Sequence, residues 1–146
     1  MLLFLLNNTE GILAESTMAN DDISELLNKW EETYKKGLLS FWILLLLNER
    51  PSYPYEMSTA IKDISQETIS VDDNSVYRAL SRFESIGIVN SEFQRSVSGP
   101  QRRYYSLTNR GLLLLKEFVQ RNILVFEMPP VAERIQAVVD REKISE

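Results

Sequence analysis

Asn74, Ser75, Arg78, Ser81 and Arg82 recur at spacings that gather them on one side of a helix, with Tyr77 beside them. An arginine fork pairs bidentately with guanine, and Asn or Ser bonds bases or phosphates. A tyrosine hydroxyl donates to phosphate. Arg95, Arg102 and Arg103 follow around a basic turn, where a cation meets a phosphate or enters a minor groove. Six arginines lie between positions 78 and 110 against two acids, Glu84 and Glu92, a local charge of +4. The whole 146-residue chain carries −5, so the remainder carries −9. A basic island on an acidic chain implies one surface that faces a polyanion. Taken alone, the Arg78/Arg82 pair fits a solvated helix face equally well. The order of helix, hairpin, basic turn and charge reversal carries the reading.

Other chemistries are narrowed by composition. The chain has no cysteine and no histidine. It therefore has no disulfide, no thiol nucleophile and neither of the commonest metal-ligand or general-base side chains. No carboxylates stand at calcium-loop or paired-acid spacing. Asp21-Asp22 and Asp72-Asp73 precede helical segments and read as caps. No phosphate-binding glycine loop or nucleophile–base pair is present. The sequence thus implies no catalytic residues, no metal, no cofactor and no enzyme.

The opening run Met1-Leu2-Leu3-Phe4-Leu5-Leu6 lacks the positive flank and length of a signal peptide. Phe41 to Leu47 is too short to span a bilayer. A cytoplasmic protein with no membrane partner is expected. Met18-Ala19-Asn20-Asp21 offers an alternative start.

The elements that must position the arginines are legible in the pattern. Residues 21–36 read as a helix capped by Asp21 or Asp22, with Ile23, Leu26, Leu27, Trp30 and Tyr34 on one face. Residues 37–49 read as a second, apolar helix stopped before Pro51. Pro54 opens a third, with Met57, Ile61 and Ile64 inward. Asp72, Asp73 or Asn74 caps the fourth, whose Val76, Ala79, Leu80, Phe83 and Ile86 face the core. Gly87 stops it. Ile88–Phe93 and Arg103–Leu107 are strand-like, around a Ser98-Gly99-Pro100 turn. Strand alternation puts Arg102 with Tyr104 and Arg103 with Tyr105 on opposite faces. Thr108 or Asn109 caps one long helix that Leu112 to Leu115, Phe118, Val119, Ile123 and Phe126 make apolar on more than one side, with Leu112, Leu115, Phe118, Val119, Ile123 and Phe126 expected in a dimer interface. Such a helix needs a partner subunit as well as its own domain. Pro129-Pro130 ends it, and a short helix runs from Val131 to about Lys143.

This order is mainly α with a small β-hairpin, a winged helix-turn-helix with an N-terminal helical extension and a C-terminal dimerisation helix. The expected division is residues 1–35, 36–108 and 109–146.

Residues 36 to 115 resemble the PadR-like winged-helix transcription regulators. Gly37-Leu38-Leu39 with Ile43–Leu47 resembles that family's first helix. Tyr53-Pro54-Tyr55-Glu56-Met57 resembles its His-Gly-Tyr-Glu-Leu segment. Asn74–Leu80 resembles its Ser-Leu-Tyr-Pro-Ala-Leu recognition helix. Gly99-Pro100-Gln101-Arg102-Arg103-Tyr104-Tyr105-Ser106-Leu107-Thr108-Asn109-Arg110-Gly111 resembles its wing, second strand and last-helix start. Tyr53-Pro54 departs from His-Gly, and Arg78 stands where proline is common. The resemblance implies a homodimer that binds double-stranded DNA and represses transcription, with the C-terminal helix in the dimer interface. The acidic extension and short tail are most similar to the branch that acts in cyanobacterial circadian timing. Some relatives hold aromatic effectors between last-helix tryptophans; here Trp30 and Trp42 are both N-terminal, so that effector mode is not supported and a small-molecule effector is left open. The alternative is a winged-helix protein–protein adaptor that docks through the acidic N-terminal helix with Trp30 and Tyr34.

Overall fold

The structure is a computed structural model that describes residues 20–95 and 99–144, without the side chains of Asn20 and Asp21. The apolar run at 1–6, Met18, and Ser98 of the expected turn lie outside the described residues. The elements are α1 (Asn20–Glu49), α2 (Pro54–Ile64), α3 (Asp73–Ser85), β1 (Val89–Gln94), β2 (Arg102–Leu107), α4 (Asn109–Phe118) and α5 (Pro129–Asp140). A π-turn (Val119–Ile123) and a 3-10 turn (Leu124–Phe126) separate α4 from α5. The described residues fall into two compact units that divide between Trp42 and Ile43.

The helices expected at 21–36 and 37–49 are one helix of 30 residues. Gly37 does not break it, because an interior glycine costs only about 1 kcal/mol relative to alanine. No proline or capping residue reinforces a stop there. The expected boundary after residue 35 therefore falls inside α1. The helix is already running at Asn20, so Asp22 lies within it rather than ahead of it. In the first unit, Ile23, Leu27, Trp30 and Tyr34 form an exposed apolar stripe. Glu25–Lys29 and Glu31–Lys35 pair one turn apart on the same helix.

The core of the second unit gathers Ile43, Leu44, Leu46 and Leu47 with Met57, Ile61, Val76, Ala79, Leu80, Phe83, Ile88, Val89 and Leu115. Pro54 opens α2, where its missing N–H has no partner to lose. Ile64 and Ile86, expected inward, are 45% and 54% exposed. Each sits in the last turn or cap of its helix, where the chain is already turning away. Between α2 and α3, Gln66 and Glu67 both have positive φ. Buried Ser65 holds this turn, its hydroxyl accepting from the Ile69 N–H at 3.1 Å.

β1 and β2 form an antiparallel hairpin in which Val89 faces Leu107 and Gln94 faces Arg102. A third segment joins it. The Ser52 N–H donates to the Tyr105 carbonyl at 3.1 Å, and the Tyr105 N–H donates back to Ser52 at 2.9 Å.

Gly87 takes φ +79° and ends α3. The chain then passes directly under the start of α4. Thr108 caps α4 by accepting from the Gly111 N–H, and its hydroxyl donates to the Gly87 carbonyl at 2.7 Å. A Cβ on Gly111 would lie 2.1 Å from the Ile88 oxygen.

The expected single long C-terminal helix is interrupted after Phe118. The Asn122 side-chain amide donates to the Phe118 carbonyl, so a side chain competes there for a backbone acceptor. The Leu124 N–H then reaches back to Val119, five residues away. Pro129 restarts a helix earlier than expected, with Ile135, Val138 and Val139 exposed along it.

Two glycines test this description with opposite signs. Gly111→Ala should destabilise the protein by about 1–3 kcal/mol in urea denaturation, because its methyl meets a fixed backbone oxygen. Gly37→Ala should stabilise it by about 0.5–1 kcal/mol, because nothing lies within 4 Å of the added carbon. Equal effects of the two substitutions would contradict the packing.

Candidate nucleic-acid interface

Helix α3 buries Val76, Ala79, Leu80 and Phe83 and turns Asn74, Tyr77, Arg78, Ser81 and Arg82 outward. Of the three capping candidates, Asp72 holds the position. Its carboxylate accepts from the Ser75 N–H at 2.7 Å and from the Ser75 hydroxyl at 3.1 Å. The Ser75 N–H bond holds the Asp72 carboxyl below its ordinary range, helped by the Ser75 hydroxyl and by the charge of Arg78. The Arg78 guanidinium in turn donates to the Ser75 hydroxyl at 3.3 Å. Ser75 is thus engaged in the cap and steers Arg78, whereas Asn74, Ser81 and Arg82 present exposed polar groups. Ser58 of α2 donates to Asp73 at 2.6 Å and joins the two helices at the start of α3.

The two wing arginines differ. Arg103 is partly buried. It donates to the Ser91 hydroxyl at 2.9 Å, pairs with Glu84 of α3 at 3.9 Å and lies 4.4 Å over the ring of its cross-strand partner Phe93. Arg102 is exposed. It lies 4.5 Å over the Tyr53 ring, which also meets Tyr104 edge-on at 5.3 Å. Strand alternation therefore sorts them as expected: Arg102 with Tyr104, Arg103 toward the α3 side with Tyr105. Tyr105 is buried, and burial pushes its phenol above the usual tyrosine range. Arg95 is exposed at the end of β1. Among the described residues, Arg78, Arg82, Arg95 and Arg102 form no ion pair with a carboxylate.

An open cleft of about 500 Å³ runs between the start of α2, α3 and the wing. Tyr53, Tyr55, Tyr77, Gln101 and Arg102 line it. Tyr53, Tyr55 and Gln101 were not among the site residues expected from sequence. Tyr53 and Tyr55 precede and open α2, far from the basic island in sequence. The only available signal was their place in the Tyr53–Met57 segment.

Residues 43–117 match the "Transcriptional regulator PadR-like family". The chain belongs to that family. Its work is transcriptional regulation, not catalysis. Among solved structures, a PadR family transcriptional regulator from Eggerthella lenta is 25% identical, with 86% of this chain and 100% of that one covered and a TM-score of 0.62. A PadR-like regulator from Bacillus cereus is 29% identical over 73% of this chain and 96% of that one, with a TM-score of 0.56. PadR of Bacillus subtilis, solved in complex with operator DNA, shares the fold at 17% identity, over 75% of this chain and 53% of that one, with a TM-score of 0.54. In this PadR-like chain, the hairpin is the wing and α3 occupies the recognition-helix position. No helix among the described residues is long and apolar enough to cross a membrane.

The expected dimer residues divide by exposure. Leu115 is buried within its own protomer, Leu112, Phe118, Val119 and Ile123 are half-buried, and Phe126 is 51% exposed. Leu113 and Leu114, absent from the expected set, are 64% and 47% exposed.

The Asp72 cap has a pH signature. Its folded pKa is depressed, so its stabilisation is complete above the ordinary value of 3.8 and is lost as pH falls through the lowered one. Asp72→Ala should lower the melting temperature at neutral pH, and the gap from wild type should close in acid. Asp72→Asn should retain much of the cap and flatten that dependence. A gap constant down to low pH would contradict the assignment.

Proposed function

We propose that this chain is a sequence-specific DNA-binding repressor that acts as a homodimer on a pseudo-palindromic operator in the cytoplasm. The observation that carries the reading is the set of four exposed arginines that form no salt bridge among the described residues, disposed along α3 and the wing of an otherwise acidic chain. The Bacillus subtilis relative bound to operator DNA supports it. Asn74, Arg78, Ser81 and Arg82 read or flank the bases, with Ser75 holding Arg78 and Tyr77 bonding phosphate. Arg95 and Arg102 meet the backbone, and Arg103 ties the wing to α3.

Residues 36–108 form the DNA-binding part, residues 109–146 join two copies, and residues 1–35 extend it. In the joint, exposed Leu113, Leu114 and Phe126 supply contact surface beside half-buried Leu112, Phe118, Val119 and Ile123, while buried Leu115 supports them from within. Two-fold symmetry then sets half-sites about one helical turn, ~34 Å, apart.

The similarity to the circadian branch rests on the acidic N-terminal extension, most of which lies outside the described residues, and on the short tail. The matched relatives are general PadR-like regulators, so clock control is not part of the proposal.

The adaptor reading is favoured by the exposed Ile23, Leu27, Trp30 and Tyr34 stripe. It predicts that the full chain retains no duplex at low salt.

Selection from a random duplex pool, followed by anisotropy titration, tests the proposal. Arg78→Ala should cost about 1–3 kcal/mol on the selected site and relax preference at one position. Arg102→Ala should weaken all sequences alike and reduce the salt slope by about one. Unchanged binding in both variants would remove this surface from the interface.

A further inference from the structure

The wing cation sits on a platform that another part of the chain supplies. Ser52 is buried, its hydroxyl donates to the Arg50 carbonyl at 3.3 Å, and its backbone exchanges two hydrogen bonds with Tyr105. That pairing is a single-residue antiparallel bridge that ties the segment before α2 to β2. The next residue, Tyr53, is extended at φ −104°, ψ 158°, and its carbonyl accepts from the Met57 N–H as α2 begins. The backbone on both sides of Tyr53 is therefore fixed. Its ring is held on the β2 face that carries Tyr104 and Arg102, edge-on to the first at 5.3 Å and beneath the second at 4.5 Å.

The partner type matters. Arg103 faces Glu84, a carboxylate that offsets its charge. Arg102 faces a neutral ring. A ring face orients a guanidinium without neutralising it and leaves its in-plane donors free. An arginine on a hairpin otherwise loses rotamer freedom when it reaches a phosphate. A platform that restricts the side chain beforehand removes part of that cost.

We propose that Tyr53 is a positioning residue for DNA binding: it pre-organises Arg102 as the phosphate clamp of the wing, and acts through Arg102 rather than through the DNA. This rests on the DNA-binding reading above.

The test is a double-mutant cycle in the full-length protein. Binding to a fluorescein-labelled duplex, enriched by the wild-type chain from a random pool, is followed by anisotropy across a salt series. Tyr53→Phe keeps the ring and should bind within about twofold of wild type, whereas Tyr53→Leu should weaken binding by about two- to fivefold and lower the salt slope. In an Arg102→Ala background, Tyr53→Leu should change neither affinity nor slope further. An equal loss in both backgrounds overturns the proposal and leaves the DNA-binding reading standing. A wild-type chain that enriches no duplex overturns both. Proton NMR reads the stack without DNA: the Arg102 side-chain resonances should be shifted upfield by the ring in wild type and Tyr53→Phe. Their absence overturns the proposal even if Tyr53→Leu fails to fold.

Discussion

The geometry of the proposed DNA-facing surface depends on the close passage of the Gly87–Ile88 backbone beneath the start of α4. Three elements meet there. The Ile88 N–H closes the end of α3 on the Phe83 carbonyl, and the Ile88 carbonyl accepts from the Thr108 N–H at 3.2 Å. Thr108 simultaneously caps α4 and bonds Gly87. Gly87 supplies the left-handed turn, and Gly111 supplies the space. α3, the hairpin and α4 are thereby fixed by a few backbone groups. The arginines on α3 and β2 inherit their relative positions from that junction.

On this frame the basic residues divide into struts and free cations. Arg103 spans from β2 to Ser91, Phe93 and Glu84, and so holds the wing against α3. Arg50 does similar work by pairing with Glu56 of α2. Arg78, Arg82, Arg95 and Arg102 keep their charge exposed. Exposed cations that neutralise phosphates release counterions from a nucleic-acid backbone.

Much of this was legible because it is local. The 3.6-residue period of α3 gave its buried and exposed sides, Asp72 stood among the expected caps, Gly87 marked the stop, and strand alternation separated Arg102 from Arg103. The rest depends on distant partners or on weak signals. Gly37 resembles a break, yet one glycine is a small penalty in a helix of 30 residues. Ile64 and Ile86 fit the apolar period but fall where their helices end. At the π-turn after Phe118, the Asn122 amide takes a backbone carbonyl. No local pattern reveals that Ser52 pairs with Tyr105, and so Tyr53 could not be placed under Arg102 from sequence. The division of Leu115 from Leu113 and Leu114 likewise requires knowing which side of α4 its own domain covers.

Both departures from the family pattern lie on this face. Arg78, in place of a common proline, is steered by the cap serine, and Tyr53, in place of histidine, lies under the wing cation. Amide chemical-shift mapping of the isotope-labelled full chain during titration with its selected duplex tests the surface most directly. Shifts should concentrate at residues 53–56, the N-terminal half of α3 and residues 101–104, with α1 before Trp42 largely unmoved. Shifts centred on the Ile23–Tyr34 stripe, with α3 and the wing unchanged, would contradict it.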